Sequence, residues 1–150
     1  MLEAASRLTA LLQTIPEQLS AFTEEELSVR SAPHKWSKKE ILGHLCDSAI
    51  NNLSRFVRAQ TDEHPFSVVG YAQNEWVSIQ AYQDAPFEDI LQLWATLNKS
   101  IVRVISPLTE EKGQHPCILS NGDHVTLLWL INDYVDHMEH HLRQILPQVS

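Results

Sequence analysis

Two cysteines among 150 residues, Cys46 and Cys117, make neither a disulfide framework nor a Cys-x-x-Cys pair. Glycine (4) and proline (7) are too scarce for a fibrous or linker-rich chain, so long disorder is not expected. Positive charge is short as well: 11 lysines and arginines against 19 acidic residues give a formal net charge of −8. A chain without a basic footprint is poorly suited to broad binding of nucleic acid or of an anionic membrane. No stretch of about 18 apolar residues occurs, and no basic segment leads into an apolar run at the start. A cytoplasmic location is the resulting expectation. What the sequence does hold is 43% hydrophobic residues and a length suited to one domain over residues 1–150. It also holds eight histidines, three of them between positions 137 and 141.

The periodicities are helical. Leu2, Ala5, Leu8, Leu11, Leu12 and Ile15 recur at three and four residues, the stripe of a first long helix. Pro16 either ends that helix or opens a further turn through Phe22. Thr23 and Glu26 read as the capping box of a short helix, and residues 31–35 as a connection. Ser37 and Glu40 form a second capping box. Ile41, Leu45, Ala49, Asn52 and Phe56 then share one stripe, so the second long helix runs to about Gln60. Residues 61–85 are weakly patterned apart from a helical turn or two around 74–82. Pro86 suits a first helical position, and Phe87, Ile90, Leu91, Trp94, Leu97, Ile101, Val104 and Ile105 make the third stripe, stopped near Pro107. Residues 108–124 are irregular, with Asn121-Gly122 a strong turn signal. The last helix starts at about Val125 or Thr126 and reaches Leu146, before Pro147.

Four long amphipathic helices and no convincing strand predict an all-α four-helix bundle. The connection between the second and third helices, about 25 residues, is far longer than a bundle hairpin needs. It can span the roughly 36 Å of the second helix, so the second and third helices can run parallel. The expected order is up-down-down-up with a long crossover.

That order has a consequence for the histidines. His137 and His141 lie about 40° apart on the helical wheel, so both imidazoles leave one strip of the last helix. His44 sits at the corresponding margin of the second helix, seven residues after Ser37, while the midpoint of the His137–His141 pair is seven residues before Leu146. Each level is roughly 10 Å from its helix end, and in antiparallel helices the two levels coincide. Three neutral imidazoles would then face one divalent cation. The competing reading makes them hydrogen-bonded polar side chains at the rim of a metal-free helical dimer. There is no His-Glu-x-x-His, because position 138 is Met138.

Several blocks together resemble the DinB-like metalloprotein superfamily, in particular its YfiT-like branch of metal-dependent hydrolases and thiol transferases. They are Pro33-His34-Lys35-Trp36-Ser37, then Ile41-Leu42-Gly43-His44-Leu45-Cys46-Asp47-Ser48 with Arg55. Asn74-Glu75-Trp76-Val77 and Tyr82 follow in the crossover, and Val125-Thr126-Leu127-Leu128 and His137-Met138-Glu139-His140-His141-Leu142-Arg143-Gln144-Ile145 close the series. Residues 33–146 keep the order of these blocks, and the first helix matches in character only. The resemblance implies an up-down-down-up bundle and a three-histidine site for zinc, nickel or another divalent metal, carried by His44, His137 and His141. It implies that His140 points away from the metal, and that homodimers are common. Where an acidic residue often follows the Asp-Ser pair, this chain has Ala49.

Three protein ligands leave a coordination position open. Water there becomes acidic, or an incoming low-molecular-weight thiol ionises. The leading expectation is therefore a metal-dependent hydrolase or thiol transferase acting on an electrophilic small molecule. The alternative is a non-catalytic interaction domain in which the metal staples two helices. Ser48, Asn51 and Arg55 lie within roughly 40° of His44 on the wheel. Arg55 either pairs a substrate carboxylate or forms a buried salt bridge. Glu75 either accepts a proton over the open metal face or is an ordinary loop carboxylate. Asp47 and Asp133 either orient histidines or decorate the exposed surface. Cys46, about 200° from His44, reads as a buried small hydrophobe, and Cys117 has no assignable place. Trp94 and Trp129 read as core or dimer contacts. His34, His64, His115 and His124 show no convergent pattern.

Overall fold

The computed structural model describes residues 2–149. Four long helices dominate: α1 (Glu3–Ser20), α3 (Lys38–Thr61), α5 (Phe87–Ile105) and α7 (Leu127–Ile145), with the short α2 (Glu24–Ser28), α4 (Gln73–Gln80) and α6 (Glu110–Gly113) between them. Pro16 lies inside α1 rather than ending it, and Pro86 is the N-cap of α5 rather than its first helical residue. Both expected capping boxes form: Thr23 with Glu26, and Ser37 with Glu40. Such a cap is worth about 0.5–2 kcal/mol. Arg30 holds the Glu40 carboxylate from the other side at 2.9 and 3.1 Å, so the start of α3 is fixed twice over.

The Cys46 thiol, early in α3, donates to the Ile90 carbonyl, early in α5, at 3.5 Å, so these two helices run parallel. His44, near the start of α3, meets His137 and His141, near the end of α7, so that pair is antiparallel. The order is the expected up-down-down-up. Arg7 of α1 is paired with Asp136 and Glu139 of α7, closing the fourth side. Trp94, Phe56, Leu8, Ile101, Leu127, Ile131 and Met138 fill the interior with less than 2% exposure. Trp94 is core as expected, whereas Trp129 is 44% exposed. Phe56 meets Tyr134 edge-on at 5.6 Å, and the Tyr134 hydroxyl donates to Asn98 Oδ1 at 2.5 Å, so this buried polar pair is satisfied.

The expectation of no strand needs a correction at the end of the bundle away from the histidines. A small three-stranded sheet forms there from β1 (Phe66–Ser67), β2 (Pro116–Ile118) and β3 (His124–Thr126). β1 pairs parallel with β2, and β2 pairs antiparallel with β3 in the register Cys117↔Val125. Asn121-Gly122 makes the connecting turn, with Asp123 N–H donating to Asn121 Oδ1 at 2.9 Å and Gly122 at φ 90°, a value that favours glycine. Strands of two or three residues are too short to carry a period of two. Cys117, unplaced by the sequence, is buried in β2.

The crossover between α3 and α5 holds β1, α4 and a single 3-10 turn, Tyr82–Asp84. It packs on α3 through Gly43. A Cβ there would lie 2.2 Å from Tyr82 Cδ2, so only glycine lets the ring reach the helix. The Tyr82 hydroxyl donates to Asp47 Oδ1 at 2.7 Å, one turn further along α3.

Candidate metal centre

α3 and α7 bring His44, His137 and His141 together, each offering one nitrogen, with those atoms within 4.8 Å of one another. Capping by Ser37 sets the phase of α3, and Thr126, whose hydroxyl accepts from Trp129 N–H at 3.1 Å, sets that of α7. His44 is fully buried, and His137 and His141 are partly buried. The three rings stand nearly perpendicular in pairs, with centroids 5.2, 4.8 and 4.5 Å apart. His44 Nε2 lies 3.4 Å from His137 Nε2. Two nitrogens bound at about 2.0–2.1 Å to one tetrahedral ion stand roughly 3.4 Å apart, so the pair fits a divalent cation such as zinc. The other nitrogen of His44, Nδ1, is buried without a hydrogen-bond partner among the described residues.

Electrostatics keep the rings available as ligands. Burial, reinforced by the His141 and His137 rings, pushes the His44 pKa down to about 3. Burial and the neighbouring His141 and His140 rings push His137 down to about 4, and burial also lowers His141. All three are thus neutral near pH 7, the form that binds metal. Gln144 Oε1 lies 2.9 Å from His141 Nδ1, so it accepts the proton there and leaves Nε2 free to coordinate. Sequence reasoning missed Gln144, although its place three residues after His141 on a helix is the signal that would have found it. Trp36, also unassigned from sequence, covers the His44 ring at 4.8 Å. His140 is exposed and outside the cluster.

Asp47 takes neither of the two places offered for it, orienting a histidine or facing solvent: it is fully buried, accepting from the Tyr82 hydroxyl at 2.7 Å and from Gln80 Nε2 at 2.6 Å. Burial raises its pKa, against the pull of those two donors. Cys46 is the buried small side chain expected, its thiol pKa pushed up by burial.

Two clefts border the cluster. A cavity of about 490 Å³ is lined by His141 and Gln144 together with Trp36, Lys35, Lys38 and Glu26. A smaller one of about 210 Å³ is lined by His137 with Ser48, Asn52, Arg55, Tyr71 and Asp133. Arg55 makes no salt bridge among the described residues: its guanidinium donates to the Val69 carbonyl at 2.7 Å and to Asn52 Oδ1 at 3.4 Å, and its Cζ lies 5.8 Å from the centre of the Tyr71 ring. Asp133 is exposed yet lines this cleft, its pKa raised first by burial and then by Asp136. Asn51 donates to the Asp47 carbonyl at 2.9 Å and lines neither cleft. Glu75 is exposed in the first turn of α4 and likewise lines neither cleft.

The remaining histidines lie elsewhere. The His64 and His115 rings are tilted 54° to one another with centroids 4.2 Å apart, and both approach the Ala59 carbonyl, at 3.1 and 3.2 Å. His124 is in β3, and His34 is in the connection before α3.

The profile of the DinB superfamily matches residues 3–145. The chain is 28% identical over 134 residues to OB0413 of Oceanobacillus iheyensis, covering 89% of this chain and 76% of that one. The name of that relative carries metal-dependent hydrolase as a provisional designation. The structure of YfiT from Bacillus subtilis, provisionally described in the same words and as having an unusual four-helix bundle topology, superposes with a TM-score of 0.84 at 20% identity, over 94% of this chain and 81% of that one. A mycothiol-dependent maleylpyruvate isomerase superposes with a TM-score of 0.72 at 17% identity, over 93% of this chain and 57% of that chain.

Proposed function

The chain belongs to the DinB superfamily, and from that premise we propose that it is a divalent-metal-dependent enzyme whose ion, zinc or nickel, is held by His44, His137 and His141. The observation that carries this reading is the convergence of three neutral imidazoles within 4.8 Å at the meeting of two clefts. A metal bound there would supply Lewis acidity, enough to ionise a water or a low-molecular-weight thiol near neutral pH. The substrate is an electrophilic small molecule, and the reaction is hydrolysis or thiol S-transfer. The relation to provisional hydrolases supports the first, and the superposition on a thiol-dependent isomerase supports the second.

The protein's own residues divide the work. His141 is fixed in one tautomer by Gln144. Trp36 shields the buried His44 ring from water. Arg55 binds an anionic group on the substrate and so orients it. Asp133, which shares the cleft with His137, accepts the proton that the nucleophile gives up, a role its raised pKa favours. The sequence offers Glu75 for that task, but it lines neither cleft, which favours Asp133.

Cobalt-substituted protein tests the reading. About one ion per chain is expected, and adding glutathione as a probe thiol should produce a thiolate–metal absorption band. Binding of cobalt with no spectral response to thiol, azide or other anions would make the ion a closed structural staple instead.

A further inference from the structure

We propose that the centre is served by two separate ligand sites: a subsite for a small carboxylate built on Arg55 beside His137, and a site for a second, bulkier anion against Trp36, Lys35 and Lys38 beside His141. The point where the two ligands meet rests on the three-histidine reading above, but the two sites themselves do not.

The two clefts share no lining residue, and each exposes one histidine of the cluster while His44 is sealed between them. A hydrolase needs one organic substrate, because its second reactant is water and requires no cleft. Two built clefts on either side of one reactive point are the arrangement for two organic ligands.

The small cleft is defined by an uncompensated cation. Arg7, Arg30 and Arg58 pair with carboxylates and the unpaired Arg103 and Arg143 are exposed, whereas Arg55 is partly buried with no carboxylate within ion-pair distance among the described residues. Its two hydrogen bonds go to neutral oxygens, Val69 O and Asn52 Oδ1. A half-buried guanidinium with spare donors is costly unless an anion completes it, and its planar fork matches a carboxylate. Asp133 in the same cleft repels a second negative charge and accepts from a hydroxyl or amine. A volume of about 210 Å³ holds roughly seven waters at ~30 Å³ each. The ligand is therefore a small monocarboxylate bearing a hydroxyl or amine.

The larger cleft, about 490 Å³, has an indole wall and two lysines, again with no carboxylate within ion-pair distance of either. Its one carboxylate, Glu26, accepts from the backbone N–H of Thr23 and stays ionised near Lys38, so the two lysines leave one net positive charge for a ligand. This cleft takes a longer anionic molecule, for which glutathione serves as the probe.

Calorimetric titration of the metal-free and the zinc-loaded protein with lactate and with glutathione tests the assignment. Arg55→Gln should weaken lactate binding about tenfold or more, the scale of a lost bidentate charge-assisted contact, and leave glutathione unchanged. The Lys35→Gln/Lys38→Gln pair should do the reverse, and saturating glutathione should not displace lactate. Arg55→Lys, which keeps the charge and the fold but loses the fork, should fall between wild type and Arg55→Gln. Mutual displacement of the probes, a lactate affinity indifferent to Arg55→Gln, or no heat from lactate at all would overturn the proposal. The lactate effect is expected without zinc as well. Failure to hold zinc would therefore defeat the metal reading alone, and zinc binding without Arg55 dependence would defeat the subsite alone.

Discussion

Two groups of histidine rings lie close together among the described residues, and they differ in what their nitrogens face. His64 and His115 stand closer together, at 4.2 Å between centroids, than any two rings of the His44–His137–His141 group. Yet both turn a nitrogen toward the Ala59 carbonyl, so a backbone oxygen already occupies the direction in which a cation would bind. In the other group, His44 Nε2 meets His137 Nε2 at 3.4 Å, and His44 Nδ1 has no hydrogen-bond partner among the described residues. Ring proximity alone does not mark a metal centre. Convergence of ring nitrogens that meet no backbone oxygen is what supports the metal reading proposed above.

Removing a ligand is the strongest way to break this contrast. His137→Ala or His141→Ala should lower metal affinity by more than about hundredfold, beyond what loss of an orienting partner costs. His64→Ala and His115→Ala should leave it unchanged; chelator competition reads both, and equal losses in the two groups would erase the distinction. Gln144→Ala comes next, at about ten- to hundredfold, because His141 loses the acceptor that fixes its tautomer.

Acid sharpens the comparison further. The cluster histidines are held below the ordinary value of 6.5, His44 at about 3 and His137 at about 4. Between those values and 6.5 the unfolded chain binds more protons than the folded one, so stability is full above pH 6.5 and is lost as pH falls through that window. The melting temperature of metal-free protein should drop over this range, and His44→Leu should flatten the slope. An unchanged slope would mean that the buried ring is not the source. The smallest effect expected is His115→Ala, which removes one part-buried hydrogen bond and should cost about 0.5–1.5 kcal/mol in denaturant unfolding with metal content intact.

Much of this arrangement is legible before any coordinates. Three-and-four spacing located the four long helices, the Ser37–Glu40 box located the start of α3, and the length of the crossover implied the parallel α3–α5 pair that brings His44 level with His137 and His141. What could not be read depends on contacts across elements. Asp47 is buried only because Tyr82 and Gln80 arrive from the crossover, and no local pattern on α3 encodes that. The strands at 66–67, 116–118 and 124–126 exist through pairing, not period. The clefts need Trp36 and Tyr71, which lie on irregular segments whose path the sequence leaves free.

The bare backbone at Gly43 has a thermodynamic consequence. It lets the crossover rest on the ligand-bearing helix beside His44, with the Tyr82–Asp47 bond as the latch one turn on. Occupancy of the centre and closure of the crossover must therefore favour one another. An ion that rigidifies α3 should slow proteolytic nicking between residues 62 and 86, and a chain nicked there should hold its ion less tightly.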